Sequence, residues 1–178
     1  VINGAERVIV TQLHRSPGVD FSVDIQAAEK KLHSCWIIPE RGSWIELNVN
    51  KKDGLHVRID QSGKFPCTSL LRALDDRFST DRQILEVFYR TKTVARTSRT
   101  FREQITGRRS GEEIVDPATG EILCEALQVV TEPVAEAVAK SSVEQVLVLE
   151  DVDDPLILNS LAEDTTNKHE EALLKIYG

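Results

Sequence analysis

Methionine is missing from all 178 residues, and the chain opens on Val1, which reads as a piece of a longer polypeptide. Cysteine is scarce: Cys35, Cys67 and Cys124 are odd in number, far apart and without a CxxC pair. That excludes a disulfide framework and a zinc ribbon and leaves free thiols in a reducing compartment. No apolar run approaches the ~20 residues that cross a bilayer, and the start has no charged segment leading into an apolar one. Membrane insertion and secretion are therefore not expected. With 40% hydrophobic and 29% charged residues, wholesale disorder is excluded as well.

Charge is segregated along the chain, and this matters more than the net −7. Residues 1–89 balance, residues 90–109 carry seven basic side chains against Glu103 alone, and residues 110–178 carry 16 acidic against 3 basic. Screening limits each charge's reach to about 10 Å, so an acidic chain can still offer a basic stripe to nucleic acid. The same stripe also reads as a solvated loop or exposed helix.

The first half has the marks of a β meander. Arg7–Leu13 is rich in β-branched residues and runs into the His14-Arg15-Ser16-Pro17-Gly18 turn. Ser34–Pro39, Trp44–Val49 and Leu55–Ile59 follow as strands, punctuated by Arg41-Gly42-Ser43 and Asp53-Gly54. Alternation sets Trp44, Glu46 and Asn48 opposite Ile45, Leu47 and Val49, and puts His56 and Arg58 on a wet face. Helices are expected over Thr68–Leu74 and, capped by Thr80 or Asp81, over Arg82–Tyr89. Leu70, Leu71, Leu74, Ile84, Leu85 and Phe88 then read as core. Asp116-Pro117-Ala118-Thr119-Gly120 is a turn between short strands, Pro133–Lys140 a helix with Pro in its first turn, and Val143–Leu149 a strand. Pro155–Leu161 would be its partner strand. Asn167–Tyr177 would be a helix capped by Thr165 or Thr166, with Leu173, Leu174 and Tyr177 on one face. The class is α+β: an antiparallel β meander with helices packed on it, followed by a smaller mixed α/β half.

No catalytic motif emerges. Asp151, Asp153 and Asp154 lack the Gly and Glu of a calcium loop, since Leu156 and Ala162 stand at its sixth and twelfth positions. Ser62-Gly63-Lys64 lacks the rest of a P-loop, with Arg58 and Phe65 in the wrong places. The four histidines (14, 33, 56 and 169) are scattered, and there is no GxSxG elbow. What remains is a set of Arg, Lys and Trp residues near turns: Arg15, Arg41, Trp44, Arg58 and Lys64, with Asp60 among them. Such a scaffold can stack a base and hold phosphates. Trp44 reads equally as packed core, and Trp36 more readily so.

Asn3–Val19, Ile37–Trp44 (IIPERGSW), Leu55–Leu74 (LHVRIDQSGKFPCTSLLRAL), Asp116–Leu123 and the closing TTNKHEEALLKIYG come in an order that resembles the β subunit of bacterial DNA-dependent RNA polymerase over nearly the whole chain. The resemblance implies the end of the protrusion over residues 1–20, the lobe over 21–165, and a helix returning towards the protrusion over 166–178. It implies a non-catalytic wall of the DNA cleft within a nucleotidyltransferase. No cofactor would sit in this segment, because another subunit binds the Mg2+ of the whole enzyme. Partners would be DNA (nontemplate strand and downstream duplex), the β′, α and sigma subunits and transcription factors, in the cytoplasm at the nucleoid and not at a membrane.

By resemblance, Arg15 matches a residue of a pocket for an unstacked nontemplate guanine, Trp44 a tryptophan stacking on a neighbouring base, and Asp60 the acid beside it. Arg58 and Lys64 fall in the same DNA-binding set, and Val10 matches a position near the rifamycin site. Gln61-Ser62-Gly63 stands where the family often has an arginine run, so phosphate contacts should be fewer and the salt slope lower. Glu40 puts a negative charge where Tyr is common, and a long insertion some lineages carry around residues 100–112 is absent. The basic stretch 90–109 receives no role. The alternative is a docking module for transcription factors, with the acidic C-terminal part facing a basic partner. In either reading the Val8–Leu13 strand edge of the isolated piece would be open to aggregation or dimerisation.

Overall fold

Period-two alternation and short polar turns build a five-stranded antiparallel meander in a computed structural model, which describes residues 3–11, 13–25 and 30–178. Its strands follow chain order: β1 (Gly18–Ile25), β2 (Lys31–Ile38), β3 (Ile45–Val49), β4 (Leu55–Ile59) and β5 (Phe65–Pro66). The β3–β4 turn is tied by Asn50, whose side-chain oxygen accepts the Lys52 and Gly54 amides at 2.9 and 2.8 Å. β3 and β4 lie where alternation puts them, and β2 begins three residues before the expected Ser34–Pro39 because Lys31–Ser34 pair with β1. β1 departs further: the sequence reading set its first strand at Arg7–Leu13. Residues 6–11 and 13–16 join no ladder, and Gln12 lies outside the described residues. β-Branched content favours extended backbone, but a strand also needs an edge to pair with. β1 instead pairs with β2 from Gly18↔Ile38 to Ile25↔Lys31.

Register makes one sheet face apolar, with Val19, Phe21, Val23 and Ile25 of β1 in line with Cys35, Ile37, Leu47 and Val57. Helices cover this face only at the β4–β5 end, where Val57 is fully buried, while Phe21 stays 80% exposed.

The second half packs around a strand that serves two cores. β9 (Gln145–Leu149) pairs with β6 (Thr91–Ala95). Val146 and Val148 face one cluster with α3 (Phe101–Ile105), α4 (Glu132–Lys140) and the hairpin β7 (Ile114–Val115) and β8 (Ile122–Cys124). Leu149 joins a second cluster with Ile84 and Leu85 of α2 (Asp81–Phe88) and Ile157, Leu158 and Leu161 of α5 (Leu156–Glu163). The basic stretch is thus a strand and a short helix joined by a loop, and Val94, Phe101 and Ile105 anchor it in the core. Residues 155–161 form a helix rather than a strand. A short apolar run is ambiguous between the two states, and burial on one side against α2 and β4 settles this one.

α2 starts as expected, with Thr80 and Gln83 forming a capping box. α1 (Cys67–Leu74) is built unexpectedly: it buries Cys67, Thr68, Ser69 and Arg72, while Leu70 and Leu71 are half-buried and Leu74 is 69% exposed. Phe88, also expected in the core, is exposed too. The polar face of α1 turns inward because Asp164, with its side chain 1% exposed, sits beneath it. Thr68 and Ser69 hydroxyls donate to Asp164 at 2.7 and 2.8 Å, and Arg72 Nε lies 3.4 Å away. The Arg72 guanidinium also donates to Asp81 and to the Ser79 carbonyl, tying in the start of α2. Thr166 gives its amide and hydroxyl to Asp164 rather than capping α6 (His169–Tyr177), whose cap position is Lys168. On α6, Leu174 and Tyr177 are exposed and Ala172 is buried.

Burial would raise the Asp164 pKa, but the donors from Thr68, Thr166 and Ser69 outweigh it and hold the carboxyl below its ordinary value. Such a group contributes its stability above the unfolded pKa of about 4 and loses it as pH falls through the lower folded value. Asp164→Ala should cost about 3 kcal/mol at pH 7, because it removes the acceptor of two buried hydroxyls and one of the two carboxylates at Arg72. Urea unfolding at pH 7 and below pH 4 should show the gap between variant and parent narrowing in acid. A Cβ on Gly111 would stand 2.8 Å from Cδ2 and 2.9 Å from Cγ of the buried Leu147. Gly111→Ala should therefore destabilise by roughly 1–3 kcal/mol through overpacking, measured as a lower urea midpoint at unchanged slope.

Candidate nucleic-acid interface

The polar face of the meander carries both tryptophans. Register aligns Trp36 of β2 with Glu46 of β3 and Glu46 with Arg58 of β4. One step on, Trp44 just before β3 meets Asp60 just after β4: the Asp60 amide donates to the Trp44 carbonyl, and the Trp44 amide to the Asp60 carboxylate, both at 2.9 Å. Asp60 adopts φ +50, a left-handed conformation that Asp tolerates better than most residues. Hydrogen bonds from the Ser43 hydroxyl and the Trp44 amide hold its carboxyl below the ordinary carboxylate range. Trp36, Trp44, Glu46, Asp60 and Gln61 together line a shallow groove of about 540 Å3.

Arg15 comes to this groove from the segment before β1. Its guanidinium carbon lies 5.8 Å from the centre of the Trp36 ring, within cation–π reach, and Nη1 lies 3.7 Å from Asp20, the residue paired with Trp36. Trp44 is 40% exposed, so its ring is available to a ligand and is not packed core. The groove offers two indoles, a fixed carboxylate acceptor and a nearby cation, the elements that stack and edge-read an unpaired base.

Arg58 shares this face, but its Nε donates to the Ser62 carbonyl at 3.2 Å and closes the β4–β5 turn. Lys64 is exposed just before β5, outside the groove lining. Val10 is 87% exposed on the segment before β1 and also lies outside the lining. Trp36, read from sequence as core, is half-buried and belongs to the groove. The signal was present: counted in register with Glu46, it falls on the polar face. His56, expected to be solvated, has its Nε2 3.0 Å from Glu163 at the end of α5, which covers that end of β4.

Burial pushes the Cys67 thiol up to about 11 and raises Cys35 and Cys124, so none of the three is an activated nucleophile. Among the described residues no three His, Cys, Asp or Glu side chains converge to hold a metal ion. Asp154, from the acidic run, accepts the Leu156 amide at 2.8 Å where α5 begins.

No protein-family model matches the chain. Individual relatives do, over 99% of its length. It is 48% identical to the DNA-directed RNA polymerase subunit beta of Rhodopirellula baltica, 38% to that of Chlorobaculum tepidum and 36% to that of Phocaeicola vulgatus. The chain spans about 15% of the length of these relatives.

The Asp60 contact to the Trp44 amide should set how Trp44 presents itself. In a Trp36→Phe background, Asp60→Ala should raise quenching of Trp44 fluorescence by iodide. Because Asp60 is held below the ordinary carboxylate range, the part of the pH response that Asp60→Ala abolishes should lie below that range, as the contact is protonated away. That part falling at an ordinary aspartate pKa would contradict the assigned contact.

Proposed function

We propose that this chain, which belongs to the β-subunit family of DNA-directed RNA polymerase, forms part of the wall of that enzyme's DNA cleft and holds unstacked bases of the nontemplate strand. The observation that carries this reading is the Trp36–Trp44 groove, with Asp60 locked between strands and Arg15 over an indole. Residues 21–165 would be the lobe, residues 1–20 the end of the protrusion, with β1 running across that junction, and residues 166–178 the helix returning towards it. Transcription is template-directed nucleotidyl transfer at metal ions. In this reading the chemistry and the Mg2+ belong to other parts of the assembled enzyme, and this segment contributes cleft shape and strand contacts. Arg15, Trp44 and Asp60 would touch nontemplate bases, while Arg58 and Lys64 would flank the path as backbone contacts. Val10 would lie near the rifamycin-binding region.

Its partners would then be nontemplate and downstream DNA and the β′, α and sigma subunits, in the bacterial cytoplasm at the nucleoid. No helix among the described residues is long and apolar enough to cross a membrane. A second reading, docking of a transcription factor, is favoured by the uncovered apolar row Val19, Phe21, Val23 and Ile25. An exposed patch of this kind commonly marks a protein contact.

Base–aromatic stacking is worth about 1–3 kcal/mol per base. Trp44→Ala in the assembled polymerase should therefore shorten the open-complex lifetime about tenfold, with Arg15→Ala acting in the same direction. The measurement is decay of competitor-resistant complexes on a promoter whose nontemplate strand is varied near the start site. An unchanged lifetime on every such promoter would sink the assignment.

A further inference from the structure

Seven basic side chains fall between residues 90 and 109 with Glu103 as the one acidic residue among them, a concentration of cations that sets this stretch apart from the rest of the chain. None reaches a carboxylate within 4.0 Å among the described residues, although Arg15, Lys30, Arg72, Arg77, Arg82, Lys140 and Lys175 all do. At longer range Arg96 acts on Asp116 and Arg102 on Glu136, so the 16 carboxylates of residues 110–178 compensate this stretch only in part. Three of the seven, Arg96, Arg99 and Arg102, border an open groove of about 780 Å3 between the β6–α3 loop and α4. They stand on a rigid base. Phe101 and Ile105 fix α3 in the core, which leaves Arg102 outward and exposed. The Arg96 amide donates to the Glu144 carbonyl at 2.8 Å, and its guanidinium donates to the Ser141 carbonyl.

We propose that the Arg96–Arg99–Arg102 groove is a second nucleic-acid contact, binding the sugar–phosphate backbone of duplex DNA without reading its sequence. It rests on the polymerase reading for the enzyme in which it operates, but not on the tryptophan groove. Guanidinium groups bind phosphate oxygens in a planar, two-pronged geometry, and six of the seven cations in this stretch are Arg. The one aromatic ring in the lining, Phe101, is buried, so there is no platform on which an unpaired base could stack. An acidic peptide would need apolar anchors to bury, and beyond Phe101 the lining offers only Ala139. A phosphate backbone needs none. Glu103 and Glu132 also lie in the groove and confine the contact to a few phosphates.

The test uses the assembled polymerase carrying Arg99→Ala/Arg102→Ala, with downstream duplexes of two unrelated sequences titrated over a range of salt. Loss of two phosphate contacts should weaken both duplexes by the same factor and lower the slope of log K against log salt by about 2. Glu103→Gln/Glu132→Gln should tighten both, a gain that misfolding cannot produce. Unchanged affinity and slope, or weakening of one sequence only, would overturn the proposal. So would unchanged duplex binding with loss of polyglutamate binding, which would make the groove a site for an acidic protein. Trp44→Ala provides the separation: it should alter open-complex lifetime and leave the duplex slope as it is. If it alters neither while the arginine variant lowers the slope, the nontemplate reading fails and the arginine groove stands.

Discussion

Asp164 is the carboxylate on which the two halves of the chain depend. It lies between α5 and α6, yet its donors come from α1, which follows directly on the meander. Satisfied, it lets a helix bury two hydroxyls and a guanidinium. Without it, the two hydroxyls would lose their carboxylate acceptor and the guanidinium the more buried of its two carboxylates, a cost no leucine on the outer face of α1 offsets. Around the same joint Ser160 of α5 accepts the Leu55 amide at 2.8 Å and Asn159 donates to the Lys52 and Asp53 carbonyls at 3.1 and 3.0 Å. The β3–β4 hairpin, whose far end presents Trp44 and Asp60, is therefore held at its near end by residues more than a hundred positions later. The groove is a property of the whole chain and not of the hairpin alone.

That joint separates two surfaces of different chemistry. The meander presents indoles with Arg15, Arg58 and several carboxylates, an arrangement suited to faces and edges of unpaired bases. The α3–α4 region presents guanidiniums without an accessible ring, an arrangement suited to phosphates. A chain of net charge −7 can carry both because each surface acts within about a Debye length and the acidic excess lies elsewhere. Net charge alone would have argued against nucleic acid, and the local segregation of charge argues for it.

What was legible in the sequence follows from how local each determinant is. β2, β3 and β4 were readable because alternation and Gly turns are written within a few residues, as were the Thr80–Gln83 cap of α2 and the turn at Asp116–Gly120. β1 was equally written, with Val19, Phe21, Val23 and Ile25 alternating against Asp20, Ser22 and Asp24. The denser β-branched run at Arg7–Leu13 drew the strand assignment away from it. Propensity reports what a segment tolerates, while pairing decides what it becomes. The inverted α1 was not readable, because its cause lies 92 residues downstream of Arg72. Of the site, Trp44 and Asp60 could be placed together from the hairpin. The approach of Arg15 to Trp36 required the β1–β2 register, which follows only once β1 is known.

The uneven cover of the sheet bears on how the chain should be understood. A sheet with one apolar face is stable when a second layer covers that face. Here the layer exists over β4 and β5, supplied by α1 and α5, and is missing over β1, where Phe21 and Ile25 stand open along with Val8, Ile9 and Leu13. At about 25 cal/mol per Å2, covering such a row would add several kcal/mol, comparable to the whole stability of a small domain. Arg15 reaches Trp36 and Asp20 on the opposite face of β1, away from this row. In the polymerase reading the cover comes from the rest of the enzyme. Covering Phe21 and tuning the tryptophan groove are then separate events, because the two lie on opposite faces of the same strand.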